Sequence, residues 1–372
     1  MDDTERTSIR RPGTAAQPAE EPVLHVLQLE NDTTSPPRRV LLGALPLRIG
    51  RVEGNDLVLP SPEVSRGHCS VVLQEGRAVV TDLGSTNGTL VDGQRIAQPT
   101  VLGEGARIVI GPFTLAYLRG PRRTLERAAE IERDLERAAR YVQALLPRVV
   151  PEGPVRVDWR FVPSVAVGGD GFGYRTLADG RFAVWLLDVA GHGVGSALLA
   201  ASVMTMLREG GPPGADPGDC AAVLGALDAA FEMDRHGGLF FTLWYGVYEP
   251  ATRRLSHVAG GHHPAYLAVP GSPLRPVGTR NPPVGAGFPG RVAQVGTEVL
   301  PPRARLHLFS DGAFETMTPA GVQNALPDFL RALEAPPVPG LPEPERLLRI
   351  AQALAAGAPF DDDVSILTLD FP

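Results

Sequence analysis

Four aspartates stand where a carboxylate can be held rigidly. Asp170 follows two glycines in VGGDGFG, and Asp188 closes the apolar run in LLDVAGHGVGSALLAA. Asp311 lies in HLFSDGAFE, and Asp362 is the middle acid of FDDDVSILTL, just before the last apolar stretch. Hard divalent cations such as Mg²⁺ or Mn²⁺ need oxygen ligands, keep several waters and require only a few carboxylates from fixed positions. A strand fixes the carboxylate, and a neighbouring glycine lets an ion and its substrate approach the backbone. Asp-Gly after a strand is also ordinary turn chemistry, so a single such aspartate says little. Four of them in one region are harder to dismiss.

A second group lies between residues 48 and 89. RIGR places Arg51 just after a strand, SRGH supplies Ser65, Arg66 and His68, and STNGT supplies Thr86 and Asn87. Arginine forks with hydroxyl and amide donors on clustered loops suit a phosphate group. Each loop alone is common turn material.

The elements that must carry these residues follow from the pattern. Over 372 residues, 43% hydrophobic and 21% charged content describe a globular protein, and a net charge of −7 disfavours nucleic acid as a partner. Cys69 and Cys220 are too far apart in sequence context to suggest a disulfide framework or a cysteine zinc site. No apolar run reaches the roughly 18–20 residues of a membrane span, and the N-terminus is polar, so no membrane partner and a cytoplasmic location are expected. Residues 1–21 read as a disordered arm. Residues 22–119 show short β-type runs, among them LHVLQL, LPLRIG, SVVLQ, AVVTDL and ARIVI, separated by turns such as EGND and STNG, the signature of a β-sandwich. Residues 120–147 form a polar helix between Pro121 and Pro147. Its seam of Leu125, Ala128, Leu135, Ala138, Val142 and Leu145, interrupted by Glu132, predicts a short coiled coil and a possible homodimer. Residues 148–372 mix strands and helices in an α+β order.

The ordered set RIGR, NDLVLP, VSRGHCSV and VTDLGSTNGTLVDGQRI closely resembles the forkhead-associated (FHA) domain. The resemblance implies an all-β sandwich that binds phosphothreonine, with Arg51, Ser65 and Arg66 at the phosphate, Thr86 and Asn87 on the peptide, and His68 bracing a loop. From ALLP to Phe371, the motifs VGGDGFG, LLDVAGHGVGSALLA, AGGHHPAYL, LHLFSDGAFE and FDDDVSILTL resemble the PPM family of metal-dependent phosphatases, in its SpoIIE/RsbU-type branch. That implies an α/β-β/α layered sandwich holding two divalent ions, Mn²⁺ or Mg²⁺, on Asp170, Asp188, Asp311, Asp362 and the Val189 carbonyl. Asp188 and Asp311 would be the catalytic centre of the set, and Asp363 would orient rather than coordinate. Relatives act on phosphorylated STAS-domain anti-anti-sigma proteins, the substrate class expected here. The alternatives are a phosphatase whose FHA domain recruits kinase substrates, or a non-catalytic phosphopeptide-binding scaffold. Two departures stand out: Gly171, Phe172 and Gly173 replace the usual aromatic pair and acid after Asp170, and His192 occupies the DVAGHG loop.

Overall fold

The computed structural model describes residues 21–30, 38–164, 168–191, 193–288 and 292–372; His192 and, apart from Glu21, the expected N-terminal arm lie outside these residues. The chain divides after Asp134 into two compact units.

The first unit is built from strands β1 (Val23–Leu29), β2 (Arg39–Leu41), β3 (Leu47–Gly50), β4 (Leu57–Val58), β5 (Cys69–Gln74) and β6 (Arg77–Asp82). It continues with β7 (Leu90–Val91), β8 (Gln94–Arg95), β9 (Thr100–Val101), β10 (Arg107–Ile110) and β11 (Phe113–Pro121). They form two sheets, ordered β2-β1-β11-β10-β7-β8 and β4-β3-β5-β6-β9. Alternating apolar residues place Leu27, Ile49, Val71, Val80, Ile108 and Leu115 in one core. The two-residue strands β4, β7, β8 and β9 are too short to leave a periodic signal of their own in the sequence.

Helix α1 (Arg122–Gln143) follows. Its expected end at Pro147 comes early: Leu145 N–H and Leu146 N–H donate to the carbonyls of Val142 and Gln143 in a closing turn, as suits residues approaching a proline. Glu132 accepts from Gln28 Nε2 at 3.3 Å and pairs with Arg39, so the acid that interrupts the seam has its own partners. In the second unit, Leu135, Ala138, Ala139 and Leu145 pack around Val142, Ala197 and Ala201. That half of the seam is thus covered by the same chain.

The second unit contains β12 (Arg156–Val162), β13 (Asp170–Thr176), β14 (Phe182–Val189), α2 (Val194–Glu209), α3 (Cys220–Ala230), β15 (Phe241–Glu249) and β16 (Arg254–Gly260). Then come β17 (Ala265–Ala268), β18 (Arg275–Val277), β19 (Gly296–Val299), β20 (Ala304–Phe309), α4 (Leu326–Leu333), α5 (Glu343–Leu354) and β21 (Val364–Phe371). Two antiparallel sheets, β12-β21-β20-β17-β18 and β13-β14-β15-β16-β19, face each other. Between them lie Val184, Leu186, Trp244, Leu306, Leu308 and Leu367. The other face of the β13 sheet carries α2 and α3 through Trp185, Leu187, Val203 and Leu227. The other face of the β21 sheet carries α4 and α5 through Phe309, Ile366, Phe329 and Leu347. The result is the α/β-β/α layering expected for this part of the chain. The Asp219 carboxylate caps α3 by accepting from the backbone of Ala221 and Ala222.

Candidate functional site

The four aspartates come from the same edge of the two facing sheets. Asp170 opens β13 and is in register with Asp188 at the end of β14. Asp311 follows β20 in a single 3-10 turn, and Asp362 precedes β21, the strand paired with β20. The two sheets are tied together there by Asp363. Its carboxylate accepts from Ser164 N–H at 2.8 Å and Oγ at 3.2 Å, and from Asp170 N–H at 3.4 Å. Ser310 Oγ donates to the Asp363 carbonyl at 3.0 Å.

Glycines make this closeness possible. A Cβ at Gly168 would run into the Asp363 carboxylate, and one at Gly312 into the Asp363 carbonyl. At Gly169 it would lie 3.0 Å from the Val189 carbonyl oxygen.

Crowded carboxylates repel one another's charge. Burial and then the Asp311 and Asp362 carboxylates push the Asp188 carboxyl up to about 8. Burial, Asp362 and Glu315 push Asp311 to about 6. Asp170 is raised well above the usual carboxylate range by burial and by Asp188. Asp170 Oδ2 is buried without a hydrogen-bond partner among the described residues. Nor is Asp170, Asp188 or Asp311 ion-paired with an arginine among them. An oxygen donor set with excess negative charge and an orphaned buried oxygen fits a divalent cation. As the side chains lie, no group of three or more His, Cys, Asp or Glu among the described residues is arranged to hold a metal ion. Glu315 and Asp361 join Asp311 and Asp362 around a cavity of about 240 Å³. Both acids lie within HLFSDGAFE and FDDDVSILTL, whose pattern alone assigns them no role.

The glycines after Asp170 have a packing cause. Along β13, Asp170 and Phe172 share one face, while Gly171 and Gly173 share the other. A Cβ at 171 would strike Met204, and one at 173 would strike the Trp185 ring. The missing acid would therefore point into the helix-side core, away from the aspartates. Gly173→Asp should lower stability by about 2–4 kcal/mol, from overpacking plus a buried charge. Chemical denaturation would show this, with no gain in activity.

In the first unit the predicted phosphate loops meet. Ser65 Oγ accepts from Thr86 N–H at 3.0 Å, and Ser65 O accepts from Arg51 N–H at 2.9 Å. Asn87 Nδ2 donates to Glu63 O at 2.8 Å. Arg51, Arg66, Thr86 and Asn87 are exposed, and no ion pair holds either arginine among the described residues. His68 is fully buried; Nδ1 accepts from Ser65 N–H at 3.1 Å, so the proton belongs on Nε2, which faces Gly88 O at 3.2 Å. Asp82 and Asn55 were not singled out in the sequence. Asp82 accepts from Gly84 N–H, Ser85 N–H and Oγ, and Thr89 Oγ1. Although burial opposes it, these hydrogen bonds hold the Asp82 carboxyl down at about 2. Asn55 donates to Arg66 O at 2.7 Å.

His262 and His263 bond backbone carbonyls and pack with tilted rings against one another, His263 also against Phe309.

Comparison with known proteins agrees with this geometry. Residues 178–372 match the family model for stage II sporulation protein E (SpoIIE), and residues 47–111 match the FHA domain model. The phosphoserine phosphatase RsbP of Bacillus subtilis (strain 168) is 26% identical over 188 residues, 50% of this chain and 46% of that protein. The glycogen accumulation regulator GarA of Mycolicibacterium smegmatis is 37% identical over 84 residues, 23% of this chain and 52% of that one. The chain thus spans about half the length of these curated relatives. Among solved structures, the SiaA-PP2C domain of Pseudomonas aeruginosa aligns with a TM-score of 0.53 at 21% identity, covering 65% of this chain and 98% of that one. This likeness shows the fold. The aspartate-edged double sheet, preceded by a β-sandwich with FHA loops, places the chain in the SpoIIE family, joined here to an FHA domain.

Proposed function

We propose that the chain is a metal-dependent protein phosphoserine/phosphothreonine phosphatase whose FHA domain reads phosphothreonine. The observation that carries the reading is the set of mutually repelling aspartates brought from both sheets to one edge. Asp170, Asp188, Asp311, Asp362 and the Val189 carbonyl would hold two divalent ions, Mn²⁺ or Mg²⁺. Bound there, such ions neutralise phosphate oxygens and acidify water for attack on phosphorus. Asp363 holds the Asp170 backbone and Ser164, and so fixes the edge from which two of the aspartates project. Manganese-dependent hydrolysis of p-nitrophenyl phosphate tests the activity; failure with every divalent cation would leave the binding-only scaffold.

For the substrate we favour a phosphorylated STAS-domain protein. The similarity to a protein named as a phosphoserine phosphatase supports phosphoserine as a target. Release of phosphate from a STAS phosphoprotein, compared with FHA-bound kinase substrates, separates this from recruitment.

In the FHA loops, Arg51, Ser65 and Arg66 would take the phosphate, and Thr86 and Asn87 the peptide. Arg51→Ala should weaken a phosphothreonine peptide at least about tenfold, the loss of a charge-assisted hydrogen bond. Fluorescence anisotropy would measure it, with the threonine peptide as control.

Helix α1, with contacts to β1 and β2 in one unit and to α2 in the other, is a candidate transmitter. A bound phosphothreonine peptide should change phosphatase turnover, and Glu132→Ala should reduce that change. Equal turnover with and without peptide would remove the transmitter role. Exposed Ile131, beside the seam, is the place for a homodimer contact.

A further inference from the structure

We propose that the second unit holds another ligand site, at the opposite end of β20 from Asp311, for a small amphiphile with a carboxylate or phosphate head and an apolar body. Arg305 and Asp311 are six residues apart on this strand and the turn beyond it, about 20 Å at 3.3 Å per residue. The cavity there has a volume of about 670 Å³, within the range of small-molecule sites.

Its floor is polar and built. His307 is 2% exposed, Arg346 6% and Glu343 8%. Both Glu343 oxygens are occupied by Arg346, through Nε at 3.0 Å and Nη2 at 2.6 Å. Both Asp370 oxygens are occupied by Arg305, through Nε at 2.6 Å and Nη2 at 3.1 Å. Formal charge is thereby balanced, but hydrogen-bonding capacity is not. A guanidinium offers five donors and a carboxylate only accepts. Nη1 of Arg346 makes no hydrogen bond among the described residues, and Nη1 of Arg305 has only a 3.6 Å ion pair with Glu343 Oε2. Nδ1 of His307 is buried without a partner there, and Arg303 at the rim carries no ion pair.

Guanidinium donors without a close protein acceptor suit an acceptor-rich group. Arginines already locked by carboxylates lose little further freedom in binding one. Above that floor the walls are apolar: Val269, Leu274, Leu333 and the prolines of two loops line the same cavity. A head group on the arginines and an aliphatic or ring body along these walls satisfies both parts.

The test uses the full chain in chelator, so that the aspartate edge holds no added cation. Octanoate, octylphosphonate and 1-octanol are titrated by calorimetry and followed by thermal melting. At least one anion should bind saturably, raise the melting temperature and bind at least tenfold more tightly than octanol. Octanoate alone would assign a carboxylate head, and octylphosphonate alone a phosphate head. Ser272→Trp, at the exposed mouth, and Arg303→Glu should each weaken binding at least tenfold with unchanged melting of the free protein. Octanol binding as tightly as the anions, no saturable binding, or full affinity in both variants would overturn the proposal. Should Ser272→Trp misfold, Arg303→Glu at its exposed position decides alone.

Discussion

Asp188→Asn should abolish phosphatase turnover and at the same time raise the melting temperature of the chelated protein. The two effects share one cause. Asp188 is half-buried beside Asp311, Asp362 and Asp363, and its removal from water, then these carboxylates, hold its carboxyl up at about 8, so at neutral pH the metal-free fold bears an unfavourable charge or a trapped proton. An amide of the same shape removes that conflict, worth roughly 0.5–2 kcal/mol of stability. It would also remove an anionic ligand from the proposed metal site, for which a loss of several kcal/mol, or about 10³-fold in rate, is expected. Manganese should raise the melting temperature of the parent protein and do so far less for the variant. Differential scanning calorimetry with and without manganese, beside p-nitrophenyl phosphate turnover, checks both halves. Retained turnover would remove Asp188 from the centre of the site.

Glu343→Ala should destabilise the second unit by about 3–5 kcal/mol, because it strands the buried Arg346 guanidinium without its carboxylate. The double substitution Glu343→Leu with Arg346→Met should cost much less, since no charge is then left behind. Urea denaturation of the three variants measures the difference. The neighbouring His307 adds a pH signature. Burial is the main force pushing it down to about 4, with Arg305 and Arg346 adding to it and Glu343 opposing. The unfolded imidazole protonates near 6.5, so as pH falls the unfolded state takes up the proton first. Stability is present above about 6.5 and is lost between there and about 4, by up to about 3 kcal/mol. His307→Leu should flatten that part of the profile. Glu343, held below its usual range chiefly by Arg346 against the cost of burial, adds a further loss below about 4.5.

The architecture was legible in the sequence wherever apolar periodicity was long. The runs ending at Asp188 and beginning after Asp362 announce central strands, and ALLAASVMTML announces α2. β13 did not announce itself, because Gly171 and Gly173 replace the side chains that make a strand readable, and their reason, Trp185 and Met204, lies elsewhere in the chain. Helix α4 was hidden by its eight-residue length and its prolines. Within the site, the aspartates could be named from their motifs. An orienting role for Asp363 could be expected too, but not its partners, Ser164 and the Asp170 backbone, which lie 199 and 193 residues away. Asp82 and Asn55 gave no signal because their hydrogen bonds, to Ser85 and Thr89 and to the Arg66 carbonyl, form only once the loops are folded. Such contacts are set by topology, and composition leaves no trace of them.

The glycines around Asp170 also bear on local order. β13 is one of the two edge strands of its sheet, and four of the residues from 168 to 173 are glycine. Glycine has the most backbone entropy to lose on ordering, and an edge strand has neighbours on one side only. Hydrogen exchange should therefore find this the least protected strand of the double sheet. Of the four aspartates, Asp170 is then the one whose position must be purchased by ordering, and a ligand that draws it to Asp188 quenches those fluctuations. Loading of the site and stiffening of β13 become one cooperative event.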